Sequence, residues 1–179
     1  MINRICVVVV LVYTCFSCSD IKKDAQKEQV EGLNKKVSQV DREFKKIQID
    51  SISALKSSTY QVENRIKKNY YSDTVDIVFG KKMNDYKRMR KILGQLGKSG
   101  SQLRQSIKEE KEQLDKLLSD IEQGFGQREL YNDYIQFEKN KVGQIGILLE
   151  DYKNVKHEFM YIYNELHLEL LNYSMTLNN

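Results

Sequence analysis

The sequence predicts an all-α fold, an elongated antiparallel three-helix bundle, from three observations. The chain has no proline among its 179 residues, and proline is the residue that most often breaks helices and punctuates loops. Apolar residues recur three and four positions apart over three long stretches, which is the spacing of helices that bury one face. These stretches have similar lengths and short connections, so we expect neighbouring helices to run antiparallel.

The composition limits the kinds of macromolecule that the protein is expected to bind. Charged residues make up 30% of the chain, which suits a bundle with much surface relative to its core. There are 29 basic and 25 acidic residues, giving a formal net charge of +4. Removal of the first seventeen residues would take away only Arg4 and leave a net charge of +3. That mild positive charge falls short of the balance typical of nucleic-acid-binding proteins, so no nucleic-acid partner is expected.

The first eighteen residues, MINRICVVVVLVYTCFSC, have the pattern of an export signal. Arg4 provides a positive start, and Ile5–Phe16 form an apolar stretch of signal-peptide length that is short for a transmembrane helix. We therefore predict a lipoprotein signal peptide at residues 1–17, cleaved before Cys18. An uncleaved membrane anchor and a plain secretory signal are the alternatives.

The chain's three cysteines all lie in this leader, at Cys6, Cys15 and Cys18. A disulfide framework would place cysteines throughout the folded part, so none is expected. After cleavage only Cys18 would remain, at the new N-terminus, where it is well placed for acylation. Cys18 is therefore the predicted lipidation site, and its lipid the predicted membrane anchor.

The segment Thr14-Cys15-Phe16-Ser17-Cys18 resembles a bacterial lipobox, with the small Ser17 just before the cysteine and Cys15 where leucine is usual. A loose lipobox followed by a Lys/Glu/Asn-rich, tryptophan-free helical chain resembles the small surface lipoproteins of Borrelia-type spirochaetes. The resemblance is close in the leader and compositional elsewhere. It implies an all-helical domain displayed outside the outer membrane and acting in adhesion or immune evasion.

Residues 18–29 form a lipidated polar tether in this interpretation, either disordered or the frayed start of a helix. The bundle domain is expected at residues 30–176, with its first leg at about 30–68. Apolar residues mark a clean heptad in the order Val30, Leu33, Val37, Val40, Phe44 and Ile47. The pattern then slips by one residue and resumes at Ile52, which we interpret as a local change in supercoil within one helix.

The second leg is expected at about 74–123, capped by Ser72 or Thr74. Its heptad seam, the series of positions that face the other helices, keeps its phase through the glycines at 97 and 100. One series of seam positions is Phe79, Tyr86, Leu93, Gly100, Ile107, Leu114 and Ile121, and the other is Lys82, Met89, Leu96, Leu103, Glu110, Leu117 and Gly124. We interpret residues 97–101 as a soft point in one long helix. A turn there would give a four-helix variant instead.

Gly124 suits the left-handed residue that ends a helix, and Phe125 is expected to pack over that end. The third leg is expected at about 129–173. Its apolar stripe is broad, with about three positions per heptad, which suits a helix that contacts two neighbours. A two-helix coiled-coil hairpin that forms a homodimer is the structural alternative.

No group of residues predicts an enzyme or a cofactor. His157 and His167 lie ten residues apart on one helix, which separates them by roughly 15 Å, so they cannot share a metal ion and are expected to be structural. The carboxylates around Glu110 alternate with lysines, which is typical of a solvated helical face. The off-seam tyrosines at positions 70, 71 and 161 are expected to pack at bundle ends rather than to act as recognition anchors.

The strongest charge feature is a stripe of five cations on the second leg. The members of this basic stripe are Lys81, Lys87, Arg88, Lys91 and Lys98. At 100° per residue they fall within an arc of about 120°. Such a stripe can attract a polyanion such as a sulfated glycosaminoglycan, nucleic acid or anionic lipid headgroups. Its alternative is an ordinary solvated helical face.

Two functions follow as hypotheses. The first is a lipid-anchored binding protein of the outer cell surface that contacts a host or partner macromolecule, with a glycosaminoglycan as one candidate for the stripe. The second is a structural or assembly lipoprotein of the periplasm that acts as a coiled-coil spacer or scaffold.

Overall fold

The computed structural model describes the backbone of residues 2–49 and 51–177, and the side chains of residues 21–49 and 51–177. Four long helices follow one another, with no strand in the described part of the chain. They are α1 (Ile2–Ile47), α2 (Ile52–Asn69), α3 (Ile77–Gln123) and α4 (Tyr131–Thr176), with a 3₁₀ turn at Arg128–Leu130 before α4. The predicted all-α bundle is confirmed.

The chain divides into two compact units. The first unit comprises Met1–Glu43 and Gln105–Gly146, and the second comprises Phe44–Arg104 and Ile147–Asn179. Each is a three-helix bundle. The first is formed by α1 with the later part of α3 and the earlier part of α4, and the second by α2 with the complementary parts of α3 and α4.

In the first unit, polar contacts show that α3 runs antiparallel to α1. Lys27 of α1 forms an ion pair with Glu122 at 2.9 Å, whereas Asp41, later in α1, pairs with Lys111, earlier in α3, at 2.5 Å. The fully or nearly buried apolar residues form the core between the helices of this unit. They are Val30, Leu33, Val37, Ile107, Leu114, Leu117, Ile121, Tyr131, Ile135, Val142 and Ile145.

The described part of the predicted tether, residues 21–29, packs as part of this unit. Residues 21–29 continue α1, and Lys23 donates a hydrogen bond to the carbonyl of Glu122 at 2.9 Å. The sequence left disorder and the start of a helix as alternatives for these residues, and in the structure they are helical.

The second unit packs α2, α3 and α4 around a larger core. Except for Ile92, the core residues that α3 contributes recur at the predicted seam positions, and Tyr86 among them is completely buried. The core residues are Phe44, Val62, Ile66, Tyr86, Met89, Ile92, Leu93, Leu96, Leu103, Leu149, Tyr152, Phe159, Ile162 and Leu170.

The prediction that the first leg is one continuous helix is wrong. α1 ends at Ile47 and α2 begins at Ile52. A one-residue slip in an unbroken helix would turn the following apolar face by about 100°, and the break restores that face to the core. Side chains of α4 bind the freed backbone groups. Lys156 donates to the carbonyl of Ile47 at 2.6 Å, and the N–H of Ile49 donates to the Tyr152 hydroxyl at 3.2 Å.

The N-cap of α3 differs from the one predicted. Asp76, directly before the helix, accepts a hydrogen bond from the backbone N–H of Phe79 at 2.9 Å. Ser72 and Thr74 instead bond each other in the preceding loop. An aspartate cap also places its negative charge at the positive end of the helix dipole.

α3 runs without interruption through residues 97–101, so the single-helix interpretation of the second leg is confirmed. Gly100 is buried, and a Cβ atom built on it would lie 3.1 Å from Cε2 of Tyr152. The glycine therefore allows the Tyr152 ring to approach the α3 backbone. Tyr152 in turn packs edge-on against Phe44, with ring centroids 5.2 Å apart.

The predicted end of α3 is confirmed, but not its closure by Phe125. Gly124 has φ +71°, and the N–H of Phe125 bonds to the carbonyl of Asp120 at 3.0 Å, as in a Schellman motif. The Phe125 side chain is exposed. The hydroxyl of Tyr131 instead lies at this end, 2.9 Å from the carbonyl of Asp120.

We expect Gly94→Ala and Gly100→Ala, on the same helix, to have opposite effects on stability. A Cβ atom at Gly94 meets nothing within 4 Å, so alanine raises the free energy of unfolding by up to about 1 kcal/mol through its helix propensity. At Gly100 the Cβ atom crowds the buried Tyr152 ring, and such overpacking costs about 1–3 kcal/mol. Urea unfolding followed by circular dichroism measures both. Equal stabilisation by the two substitutions would contradict the close approach of Tyr152.

Candidate functional site

All five cations of the basic stripe are exposed on α3 in the second unit. The uninterrupted helix keeps them within the predicted arc of about 120°, over a length of roughly 25 Å. The buried seam of the same helix fixes this orientation, because Tyr86, Leu93 and Leu96 must face the core. The stripe is therefore held facing away from the core by the packing of α3.

Ion pairs divide the cations of this segment into two groups. Lys82 pairs with Glu169 at 2.5 Å, and Arg90 pairs with the buried Glu63, so both are engaged in contacts between helices. Neither belongs to the stripe. Within the stripe, Arg88 lies 3.6 Å from Asp85 and 3.8 Å from Glu158.

The other four members of the stripe have no such partner. Within the part of the chain whose side chains the structure describes, no carboxylate comes within 4.0 Å of their ammonium groups. These members are Lys81, Lys87, Lys91 and Lys98. Unpaired ammonium groups on a fixed surface can bind an anion without first breaking an internal ion pair, so the stripe keeps most of its charge for a partner.

The same face of α3 carries no acidic residue between Ile77 and Gln102. At 100° per residue, the neutral residues that share its arc are Ile77, Gly80, Asn84, Gln95, Ser99 and Gln102. Asp76 and Asp85 fall just outside the arc, on opposite sides. We call this surface, the five cations with these neutral residues, the basic face.

Glu110 is buried, so the prediction that it belongs to a solvated charged face is wrong. Its side chain is 1% exposed, and Lys141 of α4 lies 2.8 Å from it and 2.7 Å from Glu138. Burial raises the pKa of Glu110 above its ordinary value, against the opposing effect of Lys141. Glu110 occupies a seam position of α3, and that position was the signal of its burial.

We expect Lys141→Met to destabilise the protein more at neutral than at mildly acidic pH. Because its pKa is raised in the folded state, Glu110 favours folding below its unfolded-state pKa and loses that contribution as the pH rises through the folded-state value. Removal of Lys141 leaves the carboxylate uncompensated. The cost at neutral pH is about 2–3 kcal/mol, given that the Lys141 ammonium is partly exposed.

Thermal and urea unfolding at the two pH values measure this difference. Lys139→Met, two residues away on the exposed side of α4, is the control and should change stability by less than about 0.5 kcal/mol. A Lys141→Met effect that does not depend on pH would contradict the role of the Glu110 charge.

The two histidines are well separated, as the spacing requires. His157 is exposed, whereas His167 is buried with its Nδ1 atom 2.7 Å from the hydroxyl of Tyr86. The His167 ring stacks on Tyr163, with centroids 4.4 Å apart. Burial lowers the pKa of His167 and raises that of Tyr86. Among the described residues, no three His, Cys, Asp or Glu side chains come together as a metal-binding group.

The off-seam tyrosines do not all pack at a bundle end as predicted. Tyr70 does so, with its ring centroid 4.6 Å from that of Phe79. Tyr71 and Tyr161 are exposed, so the prediction is wrong for both.

The predicted signal peptide at residues 1–17 and the lipidation site Cys18 lie outside the residues whose side chains are described. Their chemistry therefore stays a prediction from the sequence. Within the part of the chain that the structure covers, no helix has an apolar stretch long enough to cross a bilayer.

Comparisons with protein-family models, with curated proteins and with solved structures give no match to this chain.

Proposed function

We propose that the protein is a lipid-anchored, non-enzymatic binding protein of the outer cell surface that contacts a polyanionic partner through the basic face. The observation that supports this most directly is the set of four unpaired, exposed lysines on one side of α3. The leader supports export and anchoring, and the resemblance to small spirochaetal surface lipoproteins supports the cell surface and a role in adhesion or immune evasion.

The geometry of the basic face suits an extended anion. Its cations are distributed over roughly 25 Å of one helix, so a linear sulfated chain can contact several of them at once. Cations near an anionic surface contribute about 1 kcal/mol each at physiological ionic strength. The binding of several therefore depends strongly on salt concentration, since added ions screen the attraction.

We expect the triple substitution of Lys87, Arg88 and Lys91 by glutamate to weaken binding to heparin at least about 100-fold, because three favourable charges are lost. Retention on a heparin column across a salt gradient measures the effect. The control replaces Lys35, Lys36 and Lys116 by glutamate. These lysines are exposed in the first unit, and their replacement changes the net charge equally. Equal loss of retention in both triple variants, or none in the first, would contradict the proposal.

The lipid anchor is tested separately by mass spectrometry of the N-terminus of the protein from its native membrane. We expect a chain that begins at Cys18 and carries acyl groups, and we expect Cys18→Ser to abolish the modification. Cys6→Ser, in the apolar part of the leader, is the control and should leave the modification intact. An unmodified chain that begins at Met1 would contradict the anchor.

A structural or assembly role in the periplasm is the second candidate. It is supported by the length of α3 and α4, which run for 47 and 46 residues without interruption. Protease treatment of intact cells separates the two, since a surface protein is digested and a periplasmic one is protected. Protection in intact cells, with digestion after the outer membrane is opened, would favour the periplasmic role.

A further inference from the structure

The loop between α2 and α3, together with the first turn of α3, exposes an unusual amount of apolar surface. Four side chains here, which we call the apolar loop, are the most exposed large hydrophobic residues in the described part of the chain, at 69–89%. They are Tyr71, Val75, Ile77 and Val78. Single exposed apolar residues are common on soluble proteins, but a group of this kind marks an interaction site.

The loop is held in place by its surroundings. The rings of Tyr70 and Tyr173 lie 4.6 and 5.2 Å from that of Phe79, measured between centroids, and form an aromatic base beneath it. Ser72 bonds to the carbonyl of Thr74 at 2.8 Å, and the Asp76 cap fixes the start of α3. The apolar side chains are therefore presented by an ordered backbone, and little conformational entropy is lost when they are buried by a partner.

The apolar loop is continuous with the basic face. Ile77 belongs to both, because it lies on the arc of the five cations, and Lys81 follows one turn later. The only acidic residues of the loop are Asp73 and Asp76, and Asp76 is engaged as the helix cap. An exposed cation, Lys68, lies near the end of α2 on the other side of the loop. The surface thus combines an apolar end with a row of cations in which only Arg88 lies beside carboxylates, those of Asp85 and Glu158, among the side chains that the structure describes.

We propose that this combined surface docks on an anionic lipid bilayer, with the apolar loop inserted among the lipids and the basic face over the headgroups. The inference rests on the proposed polyanion-binding function and names its partner. A sulfated polysaccharide can pair with the cations of the basic face, but it leaves the aliphatic side chains of the apolar loop exposed to water. A bilayer with anionic headgroups offers both a negative surface and an apolar phase within a few ångströms of it.

The absence of tryptophan from the chain makes a site-specific test available. Tyr71→Trp, in the full-length chain, places a single tryptophan in the apolar loop, and its fluorescence can be excited selectively at wavelengths that tyrosine does not absorb. We expect its emission to shift to shorter wavelength, and to be quenched by brominated lipid, with vesicles of phosphatidylcholine and phosphatidylglycerol in equal parts. Vesicles of phosphatidylcholine alone should leave it unchanged, because they offer no negative surface.

Tyr161→Trp is the matched control, since Tyr161 is 66% exposed on α4 and outside the proposed surface. Its emission should not change with either kind of vesicle. This control also separates docking from recruitment by the apolar leader, which can bring the chain to a vesicle without inserting position 71.

Two sets of substitutions in the Tyr71→Trp chain separate the inference from the proposed function. Val75→Ser with Val78→Ser, both outside the basic face, should abolish the emission shift and leave heparin retention as in the parent. The triple substitution Lys87→Glu, Arg88→Glu and Lys91→Glu should reduce both the emission shift and heparin retention. Circular dichroism checks that each variant is folded, which is expected because all the substituted residues are exposed.

Unchanged emission of the Tyr71→Trp chain with the anionic vesicles would overturn the inference while leaving the proposed function intact, provided that heparin retention still depends on the basic face. An equal shift with both kinds of vesicle would contradict the anionic requirement. Loss of heparin retention by the serine variant would show that the loop serves the polysaccharide instead of a bilayer. Absence of both heparin retention and the shift would overturn the inference and the proposed function together.

Discussion

The rest of the structure depends on the unbroken heptad phase of α3. This helix supplies core residues to both compact units, and its seam continues through Gly100 without a slip. Gly100 is the seam position at which the ring of Tyr152 approaches the backbone. Tyr152 also binds the backbone where α1 gives way to α2. Tyr152 therefore contacts both the continuous helix α3, at Gly100, and the break after α1. That break lets the apolar face of α2 point to the core. Because the seam faces inward, the five cations of the basic face must face outward.

Much of this fold could be predicted from local patterns. The apolar periodicity indicated the helical class and the continuity of α3, and Gly124 marked its end. The break after Ile47 could not be predicted, since a one-residue slip is compatible with a continuous helix or with a break. The break is stabilised by hydrogen bonds with the side chains of Lys156 and Tyr152, which lie on α4, about 100 residues further along the chain. Glu110 was misjudged because its charge was given more weight than its seam position, although Lys141 makes that position tolerable.

The candidate site was predictable in part. Exposure of the five cations follows from their arc, because that arc lies away from the seam. Which cations form ion pairs could not be predicted from the sequence, because Lys82 and Arg90 pair with carboxylates on other helices. The apolar loop was not predicted because its aliphatic residues precede the two seam series, which begin at Phe79 and Lys82. The available signal was the group Val75, Ile77 and Val78 beside a helix start, where polar residues are usual.

Hydrogen–deuterium exchange of the α3 backbone tests the central claim, that α3 is one stable helix whose buried seam fixes the basic face. We expect the amides from about residue 92 to residue 104 to be protected to a similar degree, because Gly97 and Gly100 lie within a packed helix. Rapid exchange confined to residues 97–101, with protected segments on either side, would contradict the account. It would show that the glycines open or turn the chain, so that Lys98 is no longer held in line with the other four cations.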